Sequence, residues 1–172
     1  MKRLLLFRHA KAEPGGPELD DHDRALTPRG VSDAAALTRT IKRKGYAPSR
    51  ILCSTSVRTR QTVEPLLREY TLPVEWLGSL YLAPAGKIIA LAQDADAGDN
   101  VLMLVGHNPG LEQAASMLAR DAVRPAERDF HDLLEEKFPT AALAVLDFEI
   151  DKWAKLSPAS GRLIDFVRPK DL

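Results

Sequence analysis

Three apolar runs in this sequence end abruptly in polar residues able to do chemistry. Leu4 to Phe7 stops at Arg8-His9. An imidazole there can serve as a nucleophile or a proton shuttle, and a guanidinium suits a phosphate or a carboxylate. Arg50 to Ser54 runs into a hydroxyl-rich junction, Ser54 to Thr62, with Arg58 in the first turn of the helix that follows. A cation near a helix N-terminus opposes the dipole unless an anion binds beside it. Position alone leaves Arg58 equally open to a surface role. Arg60 lies about 200° further round the helix, so it cannot share a pocket with Arg58. Asn100 to Val105 ends in Gly106-His107, and Pro109 opens a helix whose free N–H groups fall beside His107. One such histidine is usually structural. Two, ending two central strands with arginines nearby, point to a site.

The elements that must position these residues follow from the spacing. The buried runs at residues 4–7, 50–54 and 101–105 read as strands, the last near-continuously apolar as in a parallel sheet buried on both faces. Thr27-Pro28 starts a helix and Gly45 stops it, with Arg39, Lys42, Arg43 and Lys44 favouring the C-terminal end of the dipole. Leu72 to Leu77 reads as a strand at or near an edge because of Pro73. A helix follows around Ile88 to Leu91. Pro125 interrupts the charged stretch 119–139, leaving a short helix at Phe130 to Phe138. Thr140 to Glu149 and Arg162 to Val167 read as two strands joined by a turn, an antiparallel hairpin. In open α/β sheets, ligands sit at the carboxyl ends of the strands, where Arg8, His9 and His107 fall. The whole predicts one domain over 1–172, a three-layer α/β/α fold.

Composition narrows the function. The 24 basic side chains match the 24 acidic ones, so nothing points to nucleic acid or an anionic membrane as partner. The lone Cys53 excludes an internal disulfide framework and a multi-cysteine zinc site, and its apolar setting makes it a core residue. The loop Ala12 to Asp23 is rich in Pro, Gly and acids and follows the first site strand directly, as a rim or lid would. Its Asp20, Asp21, His22 and Asp23 do not match the calcium-loop pattern and read as turn and cap residues. No signal peptide or membrane-spanning run is expected, which makes a cytoplasmic setting the default.

Taken together, Arg8-His9-Ala10, Ser54-(three residues)-Arg58-Thr59-Arg60-Gln61-Thr62 and Gly106-His107-Asn108-Pro109 resemble the motifs of the histidine phosphatase superfamily. Leu26-Thr27-Pro28-Arg29-Gly30 and Pro139-Thr140-Ala141-Ala142 fit it too, and the set spans nearly the whole chain. Its short length is similar to that of the SixA-like phosphohistidine phosphatases. The resemblance implies the phosphoglycerate mutase-like fold, a mostly parallel sheet with one antiparallel strand. It implies catalytic roles for His9, Arg8, Arg58 and His107, with His9 as nucleophile forming a phosphohistidine enzyme. Arg8 and Arg58 would bind the phosphoryl oxygens, and His107 would donate to them from the other side. Lys11 and Asn108 are rim candidates for substrate binding. No metal or cofactor is implied. The implied partner is a phosphorylated protein, such as a histidine-phosphorylated signalling or phosphotransfer protein.

Two departures stand out. Ala10 replaces the usual glycine. The stretch Leu77 to Tyr81 lacks the carboxylate that many relatives place after the third strand, and Glu75 falls within that strand. An alkoxide leaving group normally needs a proton from such an acid, whereas an imidazole leaves readily without one. The sequence therefore favours phosphohistidine as substrate. Asp21 and Asp23 are reserve acids for the alternative, a small-molecule phosphomonoesterase. A phosphate-binding module without turnover is the third reading.

Overall fold

The apolar runs become β1 (Lys2–Arg8), β2 (Arg50–Ser54), β3 (Val74–Leu77), β4 (Val101–Gly106), β5 (Leu143–Phe148) and β6 (Arg162–Val167) in a computed structural model that describes residues 1–172. They form one sheet in the order β3-β2-β4-β1-β5-β6. β1, β2, β3 and β4 pair in parallel, and β5 runs antiparallel to both of its neighbours, β1 and β6. The helices are α1 (Pro28–Lys44), α2 (Val57–Glu69), α3 (Ala85–Gln93), α4 (Gly110–Leu118) and α5 (Pro125–Glu136).

Side-chain alternation along the strands separates two cores. Leu5, Phe7, Ile51, Cys53, Met103 and Val105 pack against Leu37 and Ile41 of α1 and Val63 and Leu66 of α2. Leu4, Leu6, Leu52, Leu102 and Leu104 pack on the other face against Ile88, Leu111, Ala114 and Leu134 of α3, α4 and α5. The central strands are thus buried on both sides, which is why they read as unbroken apolar runs. Each such fully buried Leu or Phe contributes roughly 1.5–3 kcal/mol. Cys53 belongs to this core, and burial pushes its thiol up to about 12.

The strand register brings the site residues to one edge. Arg8 lies opposite Gly106, and Cys53 opposite Val105. The chain therefore leaves β1, β2 and β4 at the same height, and the His9 N–H still bonds the Gly106 carbonyl at 3.2 Å.

Local signals explain the element boundaries. Thr27 caps α1 by accepting from the Gly30 N–H at 3.0 Å, and Gly45 ends it in the left-handed region at φ 73°. Gly30 is required by packing, since a Cβ there would stand 2.1 Å from the Lys11 carbonyl oxygen. The third strand is shorter than expected and begins at Val74, because Pro73 has no N–H to give the ladder; its edge position is as expected. Pro125 proves to be the first residue of α5, not an interruption, and Glu127 reaches back to the Val123 and Arg124 N–H groups to cap it. Thr140 to Ala142 turn into β5 rather than extend it, with Ala141 at φ 60°. No helix is long and apolar enough to cross a membrane.

Candidate active site

The parallel edge gathers Arg8, His9, Arg58 and His107 around one cleft of about 350 Å³, also lined by Lys11, Asn108 and Thr140. The imidazoles of His9 and His107 stand with centroids 5.3 Å apart and planes at 54°.

His9 is nearly buried. Its Nδ1 lies 2.8 Å from the Ala10 carbonyl oxygen. A carbonyl only accepts, so Nδ1 carries the proton and Nε2 is left with a free lone pair. Burial, more than the neighbouring arginines, drives the His9 pKa down to about 4; Arg58, Arg8 and Arg24 add smaller effects in the same direction. The nearby arginines are thus the lesser cause of its neutrality. Ala10 does not disturb the arrangement. Its methyl is absorbed into the core under α1, its N–H donates to Thr62 Oγ1 at 2.9 Å, and its carbonyl holds His9 as a glycine carbonyl would.

Arg58 resolves the ambiguity left by its position. It is buried at the start of α2, whereas Arg60 stays exposed and lies over the Trp76 ring. Arg58 donates to the Asp21 carbonyl at 2.7 Å, to the Asp21 carboxylate at 2.9 Å and to His107 Nδ1 at 3.3 Å. Arg8 donates from one end to the Phe138 carbonyl at 2.9 Å. The Nε–H groups of both arginines are buried without any partner. Orphaned guanidinium donors are costly, and both guanidinium groups line the cleft, where their positive charge suits an anion.

His107 is held at both nitrogens. Arginine can only donate, so Nδ1 accepts from Arg58, and Nε2 carries the proton given to Ser54 Oγ at 2.8 Å. Burial, His9 and Arg58 bring its pKa to about 3.

The helix start beside His107 is not the open anion site that the sequence suggests. Asn108 Oδ1 accepts from the Glu112 N–H at 3.2 Å, and the His107 carbonyl accepts from the Leu111 N–H. Asn108 also donates to the Phe138 carbonyl at 3.0 Å. It lines the cleft as predicted, but with its amide already engaged. Lys11 is exposed at the rim, with its ammonium unpaired.

Sequence reasoning missed three supports. Ser54 heads the hydroxyl-rich junction where a helix cap would sit, but Ser56 caps α2 by accepting from the Thr59 N–H, and Ser54 holds His107 instead. Its position at the end of β2, beside β4, was the available signal. Tyr81 packs edge-on to His107 with centroids 5.3 Å apart and donates to Asp21. His22 pins the acidic loop through Thr55 Oγ1 at 2.8 Å. Of the two reserve acids, Asp23 is exposed beside His22 and does not line the cleft. Hydrogen bonds from Tyr81 and Arg58 drive Asp21 down to about 2, so it is ionised at neutral pH. Glu75 faces Arg50 on the edge strand, away from the cleft.

Residues 4–81 match the family model described as histidine phosphatase superfamily, branch 1. The chain is 34% identical to an uncharacterised protein of Mycobacterium tuberculosis over 95% of its own length and all of that protein's. Among solved structures, it is similar to a candidate phosphohistidine phosphatase SixA from Nakamurella multipartitia, with 30% identity, TM-score 0.83, and 98% and 96% of the two chains covered. A corresponding candidate SixA from Agrobacterium tumefaciens matches with 32% identity, TM-score 0.77 and 98% of each chain.

Proposed function

We propose, from the premise that the chain belongs to the histidine phosphatase superfamily and within it to the SixA-like branch, that it removes phosphate from phosphohistidine in a protein. One observation carries the reading: a neutral His9 with Nε2 free shares its cleft with the guanidinium groups of the buried Arg58 and the half-buried Arg8.

In this reading Nε2 of His9 attacks phosphorus in line. A new N–P bond forms as the bond to the substrate imidazole breaks, and that imidazole takes a proton from solvent. Water then attacks the phosphohistidine on His9, releasing inorganic phosphate and restoring the neutral ring. Arg8 and Arg58 neutralise the non-bridging oxygens throughout, as preorganised donors. The arriving dianion raises the proton affinity of His107; Nδ1 takes a proton from solvent, gives up its bond from Arg58 and donates to the phosphoryl group.

The choice of phosphohistidine over an ester rests on the leaving group. Protonating an alkoxide needs an acid. Glu75 is remote, and Asp21 is ionised and committed to Arg58 and Tyr81. The binding-module reading gives no purpose to a histidine held with its nucleophilic nitrogen free.

The test is hydrolysis of a histidine-phosphorylated protein beside a phosphoserine peptide and p-nitrophenyl phosphate, by wild type and His9→Ala. Fast loss of phosphohistidine, absent in His9→Ala, is expected. Preference for the esters would replace this reading with a small-molecule phosphatase, and phosphate binding without turnover would replace it with a binding module.

A further inference from the structure

A second depression of about 370 Å³ opens beside the catalytic cleft and shares Lys11 and Thr140 with it. Its other charged walls are Arg29, Asp33, Arg168 and Lys170. The fold forces these groups together. The Lys11 carbonyl accepts from the Thr27 N–H at 2.9 Å and lies against Gly30, so the first turn of α1 delivers Arg29 beside Lys11. The Ala141 N–H bonds the His9 carbonyl at 2.9 Å, which sets Thr140 at the boundary between the two depressions. The end of β6 supplies Arg168 and Lys170.

The charges are unequal in availability. Arg168 is mostly buried and committed to Asp171 at 2.8 and 3.0 Å. Arg29 meets Asp33 only at 3.9 Å and is largely exposed, so that pair restrains it little. Lys11 and Lys170 are exposed and have no carboxylate partner. The two depressions together are lined by seven basic and two acidic side chains, on a chain whose formal net charge is zero. The phosphoryl group itself is met by Arg8 and Arg58 in the cleft. Lys11, Arg29 and Lys170 lie beyond it, where the surroundings of a phosphorylated residue would rest.

We infer that the groove of Lys11, Arg29 and Lys170 is a docking subsite for carboxylates on the substrate protein, so that the enzyme selects a phosphohistidine set in an acidic surface. The inference rests on the reading of the cleft as a phosphohistidine phosphatase site. Charge complementarity of this kind acts mainly on encounter and selectivity, and weakens with salt.

The test uses two peptides with one phosphohistidine each, one flanked by glutamates and one by serines, with phosphoramidate as a substrate too small to reach the groove. Binding by fluorescence anisotropy and kcat/KM are measured for wild type and for Arg29→Glu/Lys170→Glu. Wild type is expected to favour the acidic peptide by about tenfold at low salt, with the preference vanishing near 0.5 M salt. The double variant should lose that preference while turning over phosphoramidate at the wild-type rate. Equal handling of the two peptides by wild type, or equal loss on both in the variant, overturns the docking site. A matching loss on 3-phosphoglycerate would place a small carboxylated substrate in the groove and overturn it too. Phosphoserine versions of both peptides separate the two claims. Turnover of phosphoserine but not phosphohistidine sinks the phosphohistidine reading, while the acidic preference in binding still decides the groove.

Discussion

The ends of β1 and β4 are the same construction put to opposite uses. Each is a buried apolar strand that stops at a histidine, and the two rings stand 5.3 Å apart. His9 has one nitrogen tied to a backbone carbonyl and the other free. His107 has both nitrogens tied, to Arg58 and to Ser54. Both are driven neutral, chiefly by burial. Reactivity is thus decided by which nitrogen the neighbours leave vacant. In the proposed function the free ring makes and breaks a bond to phosphorus, and the held ring orients charge around it.

The comparison breaks most directly at His9. His9→Ala should lower turnover by roughly 10⁴-fold or more, measured in single-turnover assays, with inorganic phosphate still bound. His107→Ala should cost less, roughly 10²–10³-fold, and should still form a phosphoenzyme detectable by intact-mass spectrometry. A phosphoenzyme formed by His9→Ala but lost in His107→Ala would reverse the two roles.

Ser54→Ala sharpens the contrast, because it frees His107 without touching either ring. A fall of about tenfold in kcat with KM nearly unchanged is expected, and no change would reduce Ser54 to packing.

Acid stability probes the neutrality of both rings. Their folded pKa values, about 4 and about 3, lie below the ordinary histidine value of 6.5. Between those limits the unfolded chain binds more protons, so stability is full above pH 6.5 and falls as pH drops toward 4. Each histidine should account for about 2 kcal/mol of the loss from pH 7 to pH 5. Urea unfolding of His107→Gln at both pH values should show a loss smaller than wild type by about that amount. Equal losses would mean that His107 is not held neutral.

The smallest effect belongs to Asp21, which occupies the Arg58 guanidinium that phosphate would use. Asp21→Asn removes a negative charge there and should tighten competitive inhibition by phosphate a few-fold. Loss of phosphoserine or p-nitrophenyl phosphate hydrolysis in this variant would instead show Asp21 acting as an acid.

The sequence determined the strands, because both faces of a parallel sheet are buried and leave unbroken apolar runs. It determined the α1 boundaries, because Thr27, Pro28 and Gly45 are local signals, and it placed Arg8, His9, Arg58 and His107 at strand ends and a helix start. It could not determine what each side chain touches. Ser54 looks like a cap until β2 and β4 pair and bring it to His107. Asn108 looks like a rim residue until its amide closes the start of α4. Asp21 looks like a spare acid until Arg58 and Tyr81 fix it as an anion. The His9 tautomer rests on its neighbour, the Ala10 carbonyl, but the tautomer of His107, the surroundings of the two arginines and the basic groove all depend on residues far apart in the chain. Contacts of that kind arise only from strand register and helix packing, which no local pattern encodes.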